Sequence, residues 1–304
     1  MSETTIKIII GVVTFIATMI VATYRDYQKK EKMLQCSFGD NAVKDIIKNC
    51  KNRKNCKNYH DAIKLFSSIP KDAWDQRYFY SVALSRIFSV KAVKKWIDAF
   101  PDSADAWLVY GAVMVQHSWN TRGYGRGYEV PESHWEKFYQ ALQASEEVLR
   151  KAASLNPKDP TPWAYLIMIA TWNTDSIKIK YKYFDCVVQR DPENWAAHIH
   201  MVIALSEKWG GSHKQMYAFA REAANKARPG SDIPIVLIKA HLEYYKYLEV
   251  FEEDLDSAEA FRTDKTMQEE SIMVYENSLG HQNHKDSKTT IFTRYNLSGW
   301  LWAL

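Results

Sequence analysis

The chain has 304 residues, 46% hydrophobic and 25% charged, a balance ordinary for a globular protein that excludes a disordered or collagen-like polymer. Its 11 glycines and 9 prolines are too few for the many tight turns of an all-β fold. The 40 Lys and Arg against 36 Asp and Glu leave a net charge of +4, too weak to argue for nucleic acid.

The first candidate element is the uncharged run at 8–24, IIIGVVTFIATMIVATY. It lies at the short end of the ~17–25 residues needed to cross a bilayer and slightly beyond the ~7–15 of a signal-peptide core. Lys7 and Arg25 can snorkel and extend the span, and Ile20 spoils a cleavage site after Ala22. An uncleaved single-pass anchor in the inner membrane is therefore expected, with a cleaved signal peptide or a buried soluble helix as alternatives. Arg25, Lys29, Lys30 and Lys32 outweigh Lys7 and favour a cytoplasmic carboxyl-terminal part; a periplasmic one is the alternative.

Residues 25–58 read as a polar, basic connector with one short helix around Val43, Ile46 and Ile47. Its run KNCKNRKNCK is either a solvated linker or an attractor of anionic lipid headgroups through Lys48, Lys51, Arg53, Lys54 and Lys57. Cys36, Cys50 and Cys56 are expected as reduced thiols, pairing in an oxidising compartment being left open. They lack the C-x-x-C spacing of a zinc site even with His60 nearby. Cys186 reads as a small core residue.

From 59 onward the pattern is helical. Pro101, Pro157, Pro192 and Pro229 each close one apolar-periodic stretch and open another, and Trp107, Trp163, His198 and Ile235 stand six residues after them. Trp107 leads to Tyr110, Gly111 and Met114; Trp163 to Leu166, Ile167 and Ala170; His198 to Met201, Val202 and Leu205. This i+3, i+4, i+7 recurrence, with a spacing near the ~34 residues of a helical hairpin, resembles tetratricopeptide repeats. The expected fold is an all-α, tetratricopeptide-like solenoid over 59–304, preceded by the anchor (1–24) and the connector (25–58). One unit is long, because TRGYGRGYEVPESHW is inserted between Pro101 and Pro157. At the far end, YNLSGWLWAL stops while a helical pattern still runs, so the last packing element is expected to be incomplete.

Three segments carry a more specific likeness. Ser118-Trp119-Asn120-Thr121-Arg122-Gly123, the junction SLNPKDPTPW, and Lys208-Trp209-Gly210-Gly211-Ser212 running into Met216, Phe219, Ala220 and Arg221 resemble an uncharacterised bacterial family with tetratricopeptide-like helices. The pattern is K-W-G-G-S-x-x-x-M-x-x-F-A-R, and the likeness spans Ala99 to Tyr247. It implies a helical-repeat fold in a bacterial protein and no particular activity.

Candidate chemistry is sparse. Gly210-Gly211-Ser212 before a helix could meet an anion, but a left-handed turn followed by a cap explains the same residues. Arg122, Tyr124, Arg126 and Tyr128 form an Arg/Tyr/Gly loop suited to partner binding or to packing, and nucleic acid is not expected there. The inner stripe of the stack (Leu108, Ala164, Ile199 and Val236, then Ala112, Met168, Ile203 and Ala240) is either core or a groove for an apolar segment. The histidines do not assemble, and no catalytic motif, metal set or cofactor signature is present. The expected function is protein–protein interaction, as a scaffold or adaptor, through Arg122, Tyr124, Arg126, Tyr128, Trp209, Leu108, Met168 and Ile203. The alternatives are an immunity-like protein that occludes a toxin, and an enzyme with its site near Arg122 and the Trp209–Ser212 turn.

Overall fold

The computed structural model describes residues 38–50, 59–123, 125–173 and 176–294, and every regular element among them is a helix. The α-helices are α1 (Asn41–Lys48), α2 (His60–Ser67), α3 (Trp74–Ile87), α4 (Val90–Ala99), α5 (Ala104–Arg122), α6 (Glu132–Leu155), α7 (Thr161–Asn173), α8 (Ile177–Val188), α9 (Trp195–Ala204), α10 (His213–Lys226), α11 (Ile235–Val250), α12 (Leu255–Arg262) and α13 (Lys265–Asn277). Each proline lies just ahead of a helix or, like Pro162, in its first turn, where a missing N–H costs nothing. Side-chain caps fix several of the starts: Asp40, Ser89, Ser103, Asn194, Ser212, Asp254 and Asp264 each accept a backbone N–H from the first turn.

The helices sort into two layers. From α3 onward the odd-numbered helices form an inner row, each packed on the next, and the even-numbered ones return along the outside between them. Composition follows position. The inner α7 and α9 are apolar nearly all round, burying Tyr165, Leu166, Ile167 and Ile169, and Trp195 through Val202. The outer α6 buries one stripe (Phe138, Leu142, Ser145, Leu149, Ala152) and turns its charges outward, as an amphipathic helix must.

The inner row curls back on itself. The Tyr78 hydroxyl on α3 donates to His200 Nε2 on α9 at 3.0 Å. Burial drives the His200 imidazole down to about 4, so it is neutral and able to accept. Ser81 and Tyr165 hydroxyls join α3 to α7 at 2.9 Å. The segment 281–294 then returns across the same face. Phe292 packs on Phe38 and Phe79 and stacks on Trp195 at 5.5 Å, and Lys288 pairs with Asp40 just ahead of α1.

Two expectations are corrected. Among the described residues no helix is long and apolar enough to cross a membrane. The most apolar ones are short, as in the 13-residue α7, and the long 24-residue α6 is studded with charge. The run at 8–24 lies outside the described residues. The single-pass, inner-membrane placement, cytoplasmic or periplasmic, is withdrawn. Within residues 25–58, the short helix expected around Val43, Ile46 and Ile47 is α1, which buries all three and packs on α2 and α3. Its Lys48 pairs with Asp45 at 2.8 Å, while Lys51, Arg53, Lys54 and Lys57 lie outside the described residues. The second is that Cys50 is disulfide-bonded rather than reduced; Cys186 is a free thiol.

Candidate binding site

Because outer helices return between them, the inner helices start at one end of the stack. The loops leading into α3, α9 and α11 meet there, and the segment 283–288 crosses above them. Between them opens a cleft of about 790 Å³ with Trp74 and Trp195 in its wall. Gly230 makes the crossing possible. At φ +85° it occupies left-handed space, and a Cβ there would meet the His284 nitrogen at 2.7 Å and the Asn283 carbonyl carbon at 2.8 Å.

The cleft is rich in acid. Asp75 stands in the first turn of α3, Asp191 ahead of α9 and Asp232 ahead of α11. Burial, then the charges of Asp191 and Asp232, lift the Asp75 carboxyl to about 7, against the pull of the Thr289 and Ser287 hydroxyls. Burial also raises Asp191 and Asp232 above the usual carboxylate range. Two of the local cations are neutralised elsewhere, Arg228 by Glu193 and Lys288 by Asp40. Among the described residues none of the three aspartates has an ion-pair partner. Asp232 Oδ2 accepts from Thr290 at 2.7 Å, while Oδ1 is buried with no donor. Trp195 is 5% exposed, and its indole N–H is likewise buried without an acceptor.

A second cavity, of about 700 Å³, runs between α8 and α10 and shares Asp191, Glu193, Arg228 and Ile233 with the first. Its floor is aromatic: Phe184 meets His198 edge-on at 5.0 Å and Phe219 at 5.3 Å. His198 is 7% exposed, and its Nδ1 donates to the Asn194 carbonyl at 2.9 Å. Burial lowers its pKa and keeps it neutral, so Nε2 carries a lone pair that no hydrogen bond among the described residues uses. Asp185, Glu222 and Lys226 also line this groove.

The residues singled out in the sequence lie elsewhere. Arg122 folds its own loop, donating to the Gly123 and Gly125 carbonyls at 3.0 and 3.1 Å and lying over Trp135 at 4.3 Å. Arg126 pairs with Glu253 at 3.1 Å and donates to the Tyr128 hydroxyl at 3.0 Å, leaving Tyr128 79% exposed. Tyr124 lies outside the described residues. Leu108 is fully buried, Ile203 is half-buried, and Met168 lines a separate cavity of about 530 Å³ among α3, α5 and α7.

The K-W-G-G-S motif is consumed by packing. Gly210 turns left-handed at φ 79°, and a Cβ on Gly211 would strike the Leu205 carbonyl oxygen at 2.1 Å. Ser212 caps α10. The fully buried Lys180 donates to the Ala204 and Trp209 carbonyls at 3.1 and 2.6 Å, and Met216 and Ala220 are fully buried.

Comparison of the chain with family models, curated proteins and solved structures finds no match. The likeness drawn from the motif therefore rests on those residues alone, and the site has to be read from its own chemistry. Among the described residues no group of three or more His, Cys, Asp or Glu is arranged to hold a metal ion. The aspartates of the cleft were missed in the sequence, yet they left a trace. Asp191 and Asp232 stand beside the junction prolines Pro192 and Pro229, in RDPENW and PGSDIP, which the repeat alignment places at one end; Asp75 follows Pro70 in PKDAWD, ahead of the aligned repeats.

Proposed function

We propose that this chain is a binding protein that mediates protein–protein interaction, and that its recognition surface is the end of the stack where α3, α9 and α11 begin. The observation that carries this reading is the continuity of the two cavities. The cleft and the α8–α10 groove share four wall residues and together offer an open depression with an aromatic stretch at one end and an excess of acidic side chains at the other. Surfaces that bind chains combine shape of this kind with a few anchoring side chains. The Arg122 loop is a weaker candidate, because both of its arginines are engaged by neighbours.

The test is site-specific photo-crosslinking in cells. A benzophenone amino acid replacing Lys226, on the groove rim, should capture one protein in stoichiometric yield. The same group replacing the exposed Lys151 on α6 should not. Equal capture from both positions, or none from position 226, would contradict the assignment.

A further inference from the structure

Resting on that reading, we infer that the occupant is a peptide segment in which a lysine or arginine adjoins an aromatic or aliphatic side chain. The basic group enters the cleft at Asp75, Asp191 and Asp232, and its apolar neighbour lies on Phe184 and Phe219 in the groove.

Charge decides the cleft end. Asp75, Asp191 and Asp232 come from three separate junctions and share the cleft wall with Asp72, Glu193 and Asp286, whereas of its cations Arg228 and Lys288 already have carboxylate partners and Lys285 alone is left against this excess of acid. An ammonium or guanidinium placed there gains the Asp191 and Asp232 carboxylates, and that of Asp75 as the cation displaces its proton, in a partly desolvated site where charge-assisted hydrogen bonds are strongest. Trp74, half-buried in the same wall, adds an aromatic ring beside the cation.

Unused polar atoms argue for a polypeptide rather than a bare amine. The buried Trp195 indole N–H lacks an acceptor and the buried Asp232 Oδ1 lacks a donor, and an unmet buried polar group costs ~1–3 kcal/mol. A peptide group supplies one acceptor and one donor. Further along, His198 presents the unused Nε2 lone pair of a residue only 7% exposed to the groove, suited to another backbone N–H. The groove's remaining wall, Val188, Ala223 and Ala227, is apolar and takes a hydrocarbon side chain.

The experiment is selection of a displayed random dodecapeptide library on the intact chain. The selected peptides should be enriched in Lys or Arg next to Phe, Tyr, Trp, Leu or Ile. Their affinity should fall at least tenfold on Asp191→Asn and on Glu222→Lys, both checked for an unchanged thermal midpoint. It should fall several-fold on Trp195→Phe, which keeps the ring and removes the N–H. Acidic or charge-free selected peptides, or basic ones that bind Asp191→Asn undiminished, would overturn the inference while leaving a peptide-binding function standing. Recovery of no binding peptide at all would sink both.

Discussion

Asp75 is the residue whose behaviour is most exposed to measurement. Its folded carboxyl, lifted to about 7 chiefly by burial, keeps a proton that the unfolded chain has lost above about 4. The contribution of Asp75 to stability should therefore fall as pH rises from about 4 to about 7 and stay level beyond, opposed in the same window by the buried neutral His200 and His241, whose pKa values burial lowers to about 4. Asp75→Asn carries no charge at any pH, so its melting curve should match the parent's below pH 4 and exceed it above pH 7 by on the order of 2–4 kcal/mol. A difference between variant and parent that does not grow over that window would contradict this. Lys180 is a fully buried amine whose acceptors are the Ala204 and Trp209 carbonyls. Lys180→Met leaves two carbonyls short of a donor and should cost about 2–5 kcal/mol in urea denaturation. In the sequence IKIKYKYF nothing marks Lys180 as buried; only the tertiary position of the K-W-G-G-S turn reveals it.

At the scale of elements, α3 is the hub. Arg77, 9% exposed, pairs with Asp105 in the first turn of α5 at 2.7 Å and with Asp159 ahead of α7 at 2.9 Å. Asp159, 1% exposed, also accepts the Thr161 N–H at 2.8 Å. Arg77→Leu strands that carboxylate and should cost about 3–5 kcal/mol. Adding Asp159→Asn should return part of the loss, as a double-mutant cycle by denaturation would measure. The starts of α5, α7 and α9 were legible because their signals are local, a proline and then a cap or turn, as in SLNPKDPTPW and QRDPENW. The repeat pattern does not tell how deeply Trp163 sits. It is half-buried under Arg190, since α7 places Leu166 and Ile167 at the core.

For the molecule as a whole, the decisive feature is closure. In an open repeat array each unit touches only its neighbours and unfolding proceeds piecewise. Here Tyr78 reaches His200, and Phe292 and Lys288 tie the return segment to Trp195, Phe79 and Asp40. Far-ultraviolet circular dichroism and tryptophan fluorescence should therefore give one coincident transition. Phe292→Ala should lower stability by about 3–5 kcal/mol and pull the two transitions apart. Coincident, undisturbed curves in that variant would show that the return segment is peripheral. This closure was not legible in the sequence, because the curvature of the row depends on how large side chains on separate helices fit together. The cleft inherits that illegibility: its three aspartates lie in three junctions, and only the curl brings the first beside the other two.

One measurement reaches the claim on which the rest depends, that junctions from opposite parts of the chain converge to make an acidic binding cleft. It is the titration of the Asp75 carboxyl carbon by nuclear magnetic resonance. The midpoint should fall at about pH 7 and move down toward the ordinary carboxylate value when Asp191→Asn or Asp232→Asn removes a neighbouring charge. A midpoint near 4, unmoved by either substitution, would mean that the three junctions do not meet.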